Sequence, residues 1–232
     1  MRSVAARPED VAVRLTAVRE RLADAAGRAG RPATDVRLVV VTKGVSPPVV
    51  QAALDAGATD LGESRAQELL AKAPELARLS GGTPKPGQPI WHFIGRLQRN
   101  KVAALAPLVD LWQSVDRVEL GRAIAGRAPG ASVLAEVNVA DDPAKAGVAP
   151  DEAPALVDGL RSAGLAVDGL MTVPAAGRDP RPAFAALAAL ADRLGLAEVS
   201  MGMSDDFEVA VEEGATIVRV GRAIFGPRPQ GR

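Results

Sequence analysis

Apolar segments typical of buried strands alternate with helical patterns about eight times along this 232-residue chain. The run over residues 38–44 is continuous and mostly β-branched, which is typical of a parallel strand covered on both faces. Eight such repeats, with no linker dividing them, predict one (β/α)8 barrel over residues 1–232, with a flexible tail from about 227. The strands are expected at residues 38–44, 59–63, 90–95, 109–115, 132–139, 165–173, 198–202 and 216–220.

Lys43 ends the first predicted strand. In an α/β barrel the carboxyl ends of the strands carry the ligand site, so an amine at this position suggests a functional group. The alternative is a lysine whose apolar stem packs at the strand end while its amine extends into water. The segment by itself does not decide between the two.

The composition excludes several classes of protein. The 28 basic residues balance 28 acidic ones, so no global charge favours nucleic acid or an anionic membrane. No apolar run is long enough to span a bilayer, and residues 1–8 lack the apolar core of a signal peptide. We therefore expect a cytoplasmic protein. Cysteine and tyrosine are both absent, which excludes disulfides and thiolate nucleophiles and limits the available proton donors.

The loops after the seventh and eighth predicted strands contain material for a phosphate site. Residues 200–205 offer two hydroxyl groups, a glycine and a helix start, and residues 219–226 offer a glycine and a short apolar turn. Loops at these two positions of a barrel often bind phosphate through backbone N–H groups. The alternative is ordinary turn and capping chemistry.

A phosphate site and a strand-end lysine on one rim are what pyridoxal phosphate (PLP) requires. The lysine forms a Schiff base, and a third group must face the pyridine nitrogen. Arg219 is the candidate for that group, because a permanent cation there would keep the ring nitrogen unprotonated. Its alternative role is a salt bridge at the barrel mouth with an acid such as Glu63.

Taken together, these motifs resemble the pyridoxal phosphate homeostasis protein family, whose members are single-domain relatives of the N-terminal barrel of alanine racemase. The resemblance runs in order along nearly the whole chain. The matching stretches are residues 41–43, 61–64, Trp91-His92-Phe93-Ile94-Gly95, 97–98, 100–101, 114–116, 138–139 with Lys145 and Gly147, 169–171, 196–208 and 218–226.

The resemblance implies a role for each matching residue. Lys43 would be the Schiff-base lysine and Arg219 would face the pyridine nitrogen. The cofactor-binding residues implied around the phosphate and the ring are Ser200, Ser204, Gly221 and Arg222 for the phosphate, and Ser64 and Met201 for the ring. The chain departs from the family at Ser64, where many members have asparagine, at Gly44, where many have threonine, and at Val45, where many have a second lysine. Lys145 is then the remaining nearby amine.

Two further features have mainly structural interpretations. His92, the one histidine, lies between two aromatic residues in a predicted strand, so we interpret it as a hydrogen-bonded core residue rather than a catalytic base. Asp141 and Asp142, followed by Lys145, are expected to form a solvated loop. No cluster of histidine or cysteine accompanies them, so no metal site is predicted.

The missing residues favour a carrier over an enzyme. The related racemase uses a tyrosine from a second domain and the related decarboxylase a cysteine across a dimer interface, and this chain has neither residue type. We expect a monomer that binds and releases PLP without robust turnover of amino acids, with PLP-dependent apoenzymes as possible recipients. The alternatives are a racemase-like PLP enzyme and a Schiff-base aldolase that uses Lys43 with Glu63 or His92 as proton shuttle.

Overall fold

Eight parallel strands close into a barrel in the order of the chain. The computed structural model describes residues 7–79, 89–139, 145–175 and 177–227. Each strand pairs with the next, and β1 pairs with both β2 and β8, which closes the barrel. The strands are β1 Arg37–Val41, β2 Asp60–Glu63, β3 Ile90–Phe93, β4 Leu111–Val115, β5 Ser132–Glu136, β6 Ala166–Met171, β7 Glu198–Ser200 and β8 Ile217–Val220. The predicted fold class is confirmed.

A helix follows every strand and packs outside the sheet, as expected for this architecture. The helices are α1 Pro8–Arg28, α2 Pro47–Asp55, α3 Ala66–Leu79, α4 Val102–Leu105, α5 Val118–Ala125, α6 Ala153–Ser162, α7 Arg181–Arg193, α8 Phe207–Glu212 and α9 Arg222–Phe225. None of the helices in the described ranges is long and apolar enough to cross a membrane.

Helix α1 completes the outer layer next to the closing seam of the barrel. Its buried residues Val11, Leu15, Val18 and Leu22 recur at intervals of four, three and four, so they share one face, and that helix packs beside α2, α8 and α9. Each fully buried leucine of this kind contributes roughly 1.5–3 kcal/mol to stability. The helix therefore holds together the first and last elements of the barrel.

Helix α5 begins without a capping side chain. Asp116 is of a residue type that often caps helices, but the N-cap residue here is Arg117, and no side chain makes a capping hydrogen bond there. The Asp116 carboxylate instead accepts a hydrogen bond from the Arg117 guanidinium. Because the Asp116 carboxylate is paired with this neighbouring cation, it does not cap the helix.

Candidate functional site

The predicted site residues lie at the carboxyl ends of four neighbouring strands. Lys43 lies two residues beyond β1, Ser64 follows β2, and Arg219 lies in β8, whose register pairs it with Val39 of β1. Because β7, β8, β1 and β2 are adjacent in a parallel barrel, their carboxyl ends share one rim. The fold thus brings the candidate amine and the candidate arginine to the same mouth.

The backbone on both sides of Lys43 is held by charged side chains. Lys72 Nζ donates to the carbonyl oxygen of Thr42 at 2.6 Å. On the other side of Lys43, the N–H of Gly44 donates to Glu68 Oε2 at 2.6 Å. Gly44 has a φ of +72°, a left-handed conformation that glycine adopts without strain, and it turns the chain away directly after Lys43. The base of the Lys43 side chain is therefore fixed by hydrogen bonds from two directions.

Lys72 is the centre of this cluster and is only 5% exposed. Its amine lies 2.6 Å from Glu63 Oε1 and 2.8 Å from Glu68 Oε2. Partial burial by itself would raise the pKa of Glu68, but hydrogen bonds from the Gly44 N–H and from Lys72 lower that pKa to about 2. The sequence interpretation missed Lys72, although its spacing of four residues from Glu68 on a predicted helix was a usable signal.

A chain of hydrogen bonds crosses the barrel interior from Arg219. Arg219 Nη1 donates to Ser200 Oγ at 2.6 Å, and Ser200 Oγ donates to Gln113 Oε1 at 2.6 Å. Gln113 Nε2 lies 2.8 Å from His92 Nδ1, and His92 Nε2 lies 2.9 Å from Asp60 Oδ1. All five residues are between 0% and 5% exposed. The predicted role of His92 as a hydrogen-bonded core residue is confirmed.

The direction of this series of hydrogen bonds is set by Arg219, its first member. A guanidinium can only donate, so Ser200 accepts from Arg219 and must pass its own hydrogen to Gln113 Oε1. The amide nitrogen of Gln113 then faces His92 Nδ1, which has to be the acceptor. The proton of the neutral imidazole therefore lies on Nε2 and points at the carboxylate of Asp60.

The alternative role of Arg219, a salt bridge to Glu63, is wrong. Arg219 Nη2 donates to the carbonyl oxygen of Thr172 at 2.8 Å, while Glu63 is bound to Lys72. The Ser200 hydroxyl, which was predicted beside a phosphate, lies against Arg219 inside the barrel. Its contact with a phosphate stays a prediction.

The loop after β7 is joined to the start of α9, as a phosphate site between these strands would require. Ser204 Oγ accepts hydrogen bonds from the backbone N–H of Gly221 at 3.3 Å and of Ala223 at 3.2 Å. The Arg222 guanidinium is paired with the carboxylate of Asp205. Three of the predicted phosphate residues, Ser204, Gly221 and Arg222, therefore lie together. Their contact with a phosphate stays a prediction.

The structure shows where Met201 and Lys145 lie, which the sequence did not predict. Met201 is 0% exposed and belongs to the main apolar core, so its contact with a cofactor ring stays a prediction. Lys145 Nζ donates to the carbonyl oxygens of Val173 and Pro174, which ties the segment after β5 to the end of β6.

The predicted loop residues Asp141 and Asp142 lie outside the described residues. Within the described part of the chain, no three histidine, aspartate or glutamate side chains are grouped as a metal ion would require.

Glu136, the last residue of β5, was assigned no role from the sequence. It is 8% exposed, and burial raises its pKa to about 7, with a further contribution from the charge of Asp116. The positive charges of Arg219 and Arg96 oppose this rise. Burial lowers the pKa of Arg219 to about 10, which leaves the guanidinium charged at neutral pH. Near Arg219 the structure thus holds a carboxyl group that can gain or lose a proton around pH 7.

The chain is similar to known proteins over most of its length. The alanine racemase N-terminal domain family matches residues 13–229, so the chain falls in the class of barrel proteins that carry this domain. It is 42% identical over 229 residues to the pyridoxal phosphate homeostasis protein of Aquifex aeolicus, with 93% of this chain and 97% of that protein covered. It is 37% identical to the protein of the same name from Pseudomonas aeruginosa, with 95% and 97% covered.

A solved structure shows the same architecture. PipY of Synechococcus elongatus, determined with PLP bound, has a TM-score of 0.79 and 30% identity, with 93% of this chain and 100% of that chain covered. These matches cover almost the entire length of this chain and of each relative. The chain belongs to the pyridoxal phosphate homeostasis protein family.

Proposed function

We propose that this protein binds PLP reversibly through Lys43 and acts in PLP homeostasis. The observation that carries the proposal is the placement of Lys43 and Arg219 on one rim, at the ends of paired strands β1 and β8. The PLP-bound structure of PipY and the names of the curated relatives support it. Bound there, PLP would supply an aldehyde for the lysine amine and an electron-accepting ring.

The described residues fit this cofactor. Arg219 is buried, charged and held by Ser200 and Thr172, so it would offer a rigid donor to an unprotonated pyridine nitrogen. The loop linked through Ser204 and Gly221 would bind the phosphate, with Arg222 beside it. Ser64, at the end of β2, would lie along the ring together with Met201. The cluster around Lys72 would keep the base of Lys43 in one place while the cofactor binds and leaves.

The proposed protein is a carrier rather than an efficient enzyme. Racemisation needs groups on both faces of the substrate α-carbon, and the chain has no tyrosine or cysteine to complement Lys43. We further propose that the protein acts in the cytoplasm as a monomer and passes PLP to PLP-dependent apoenzymes. Light scattering during gel filtration tests the monomer: a dimer mass would contradict it.

Glu136 favours a second, weaker function. A carboxyl with a pKa of about 7 near Arg219 is suited to exchange a proton with a bound amino acid. Slow exchange of the alanine α-proton in deuterated water should then be seen with the loaded protein and should fall at least tenfold in Glu136→Gln. Exchange that is unchanged by this substitution would exclude Glu136 from the role. Robust racemisation or transamination by the parent would contradict the carrier proposal itself.

The visible absorption spectrum tests the main proposal. The parent protein incubated with PLP should show the yellow band of a protein Schiff base, and borohydride should bleach it. Lys43→Ala should lack the band, whereas Lys145→Ala, which removes a lysine amine that bonds main-chain carbonyls, should retain it. A parent protein that stays colourless with added PLP would overturn the proposal and favour the Schiff-base aldolase alternative.

A further inference from the structure

A pocket opens on the same rim as Lys43, over β2, β3 and β4. Its volume is about 690 Å³, and it is formed by the loops after these three strands and the first turn of α3. It meets the proposed PLP site at Ser64. The lining residues are Ser64, Arg65, Ala66, Gln67, Phe93, Arg96, Leu97, Gln98, Lys101, Asp116 and Arg117. The proposed phosphate loops of PLP, after β7 and β8, belong to the other side of the barrel.

The walls of this pocket are built by specific contacts. A Cβ on Gly95 would lie 2.1 Å from the carbonyl oxygen of Ser64, so only glycine lets the loop after β3 approach the loop after β2. The Ser114 hydroxyl donates to the carbonyl oxygen of Gly95, and Arg117 Nη2 donates to that of Leu97 at 3.2 Å. The loops after β3 and β4 are therefore joined by hydrogen bonds. Gly95 and Leu97, which belong to the stretches noted in the sequence, thus have a structural role, because their carbonyl oxygens join the two loops.

The charge of the pocket is strongly unbalanced. Its lining holds four cationic side chains and one carboxylate, that of Asp116, which is paired with Arg117. Arg65 is paired with Glu68, outside the lining. No carboxylate oxygen of the described ranges lies within 4 Å of a charged nitrogen of Arg96 or Lys101. Arg96 and Lys101 thus face the pocket without a salt bridge among these residues, although Arg96 also interacts with the charge of Glu136. Cations placed in this way attract anions.

The remaining lining indicates what kind of anion fits. Phe93 and Leu97 give the pocket an apolar wall, and Gln67 and Gln98 add amide groups that can donate or accept hydrogen bonds. The volume exceeds what one phosphate ion fills. We propose that this pocket binds a phosphorylated small molecule with a planar heterocycle, held without a covalent bond, beside the proposed PLP site. The phosphate contacts Arg96 and Lys101, and the ring lies toward Phe93.

The test separates this pocket from the Lys43 site. Protein loaded with PLP and reduced with borohydride has Lys43 permanently occupied, so calorimetric titration then reports only additional binding. The probes are pyridoxine 5′-phosphate, which lacks an aldehyde, AMP and inorganic phosphate. We expect one saturable site per chain for a ring compound, at least tenfold tighter than for inorganic phosphate, and weakening as salt is raised. Tighter binding of either ring compound supports the proposal and identifies the heterocycle.

Variants locate the binding. Arg96→Ala combined with Lys101→Ala should weaken the binding of the ring compound at least tenfold. Arg122→Ala combined with Arg161→Ala, which removes two exposed cations elsewhere, should leave it unchanged. No saturable binding, equal affinity for inorganic phosphate, or no effect of the first pair would overturn the proposal. If PLP fails to label Lys43, the proposed function fails. The pocket is then tested by the same titration of the unmodified protein and of the two double variants.

Discussion

Glu136→Gln should change the pH dependence of stability. In the unfolded chain this carboxyl has its ordinary pKa of 4.5, and in the folded protein burial raises the pKa to about 7. Below pH 4.5 the group is protonated in both states, so its burial carries no charge penalty. Above pH 7 it is ionised in both states and the full penalty applies. The stability of the parent therefore falls as pH rises from 4.5 to 7.

The size of the effect follows from the two pKa values. One pKa unit corresponds to about 1.4 kcal/mol, so the difference between 4.5 and about 7 amounts to about 3 kcal/mol. Glutamine has nearly the same shape and no charge. The variant should therefore be more stable than the parent by about 3 kcal/mol at pH 8, and by less than about 1 kcal/mol at pH 5.

Urea unfolding of the cofactor-free proteins at pH 5 and pH 8 measures these differences. Glu119→Gln, which neutralises an exposed acid on α5, is the matched control and should show no such pH dependence. Asp116→Asn should shift the fall in stability to lower pH, because the negative charge of Asp116 contributes to the raised pKa of Glu136. Equal stability of Glu136→Gln and the parent at pH 8, or the same difference at both pH values, would refute this reasoning.

Three other substitutions or measurements test the geometry of the site and its surroundings. Lys72→Met leaves the carboxylate of Glu63 buried without its cation and should cost about 3–5 kcal/mol in urea unfolding; a loss below about 1 kcal/mol would contradict the buried ion pair. Nitrogen-15 NMR of His92, the one histidine, should show the proton on Nε2, and a neutral ring protonated on Nδ1 would be inconsistent with the hydrogen-bond direction set by the arginine. Gly95→Ala places a methyl group against the carbonyl oxygen of Ser64 and should destabilise the protein by about 1–3 kcal/mol; an unchanged urea midpoint would mean that the two loops are free to separate.

The barrel and the location of its mouth were predictable from the sequence. Continuous, mostly β-branched runs such as 38–44 are typical of parallel strands covered on both faces, and parallel strands bring their carboxyl ends to one rim. That rule alone placed Lys43 and Arg219 at the same mouth. The hydrogen-bonded interior position of His92 was likewise predicted, from its location between aromatic residues in a strand.

The partners of these residues were not predictable, because they depend on contacts between distant elements. Arg219 donates to Ser200, and Ser200 in turn donates to Gln113. Gln113 comes from β4, on the opposite side of the barrel from β8 and 106 positions before Arg219 in the sequence. Lys72 reaches the backbone beside Lys43 only through the packing of α3 against the rim. In each case the residue type was visible, whereas its orientation depended on closure of the barrel.

The central claim is that PLP is bound covalently by Lys43, and mapping the labelled lysine tests it most directly. The protein should be incubated with PLP, reduced with borohydride and digested, and the modified peptides identified by mass spectrometry. The account predicts one pyridoxyl group per chain, on Lys43, and no stoichiometric label in Lys43→Ala. Labelling mainly at Lys101 or Lys145, or a Lys43→Ala variant that is labelled to the same extent as the parent, would contradict it.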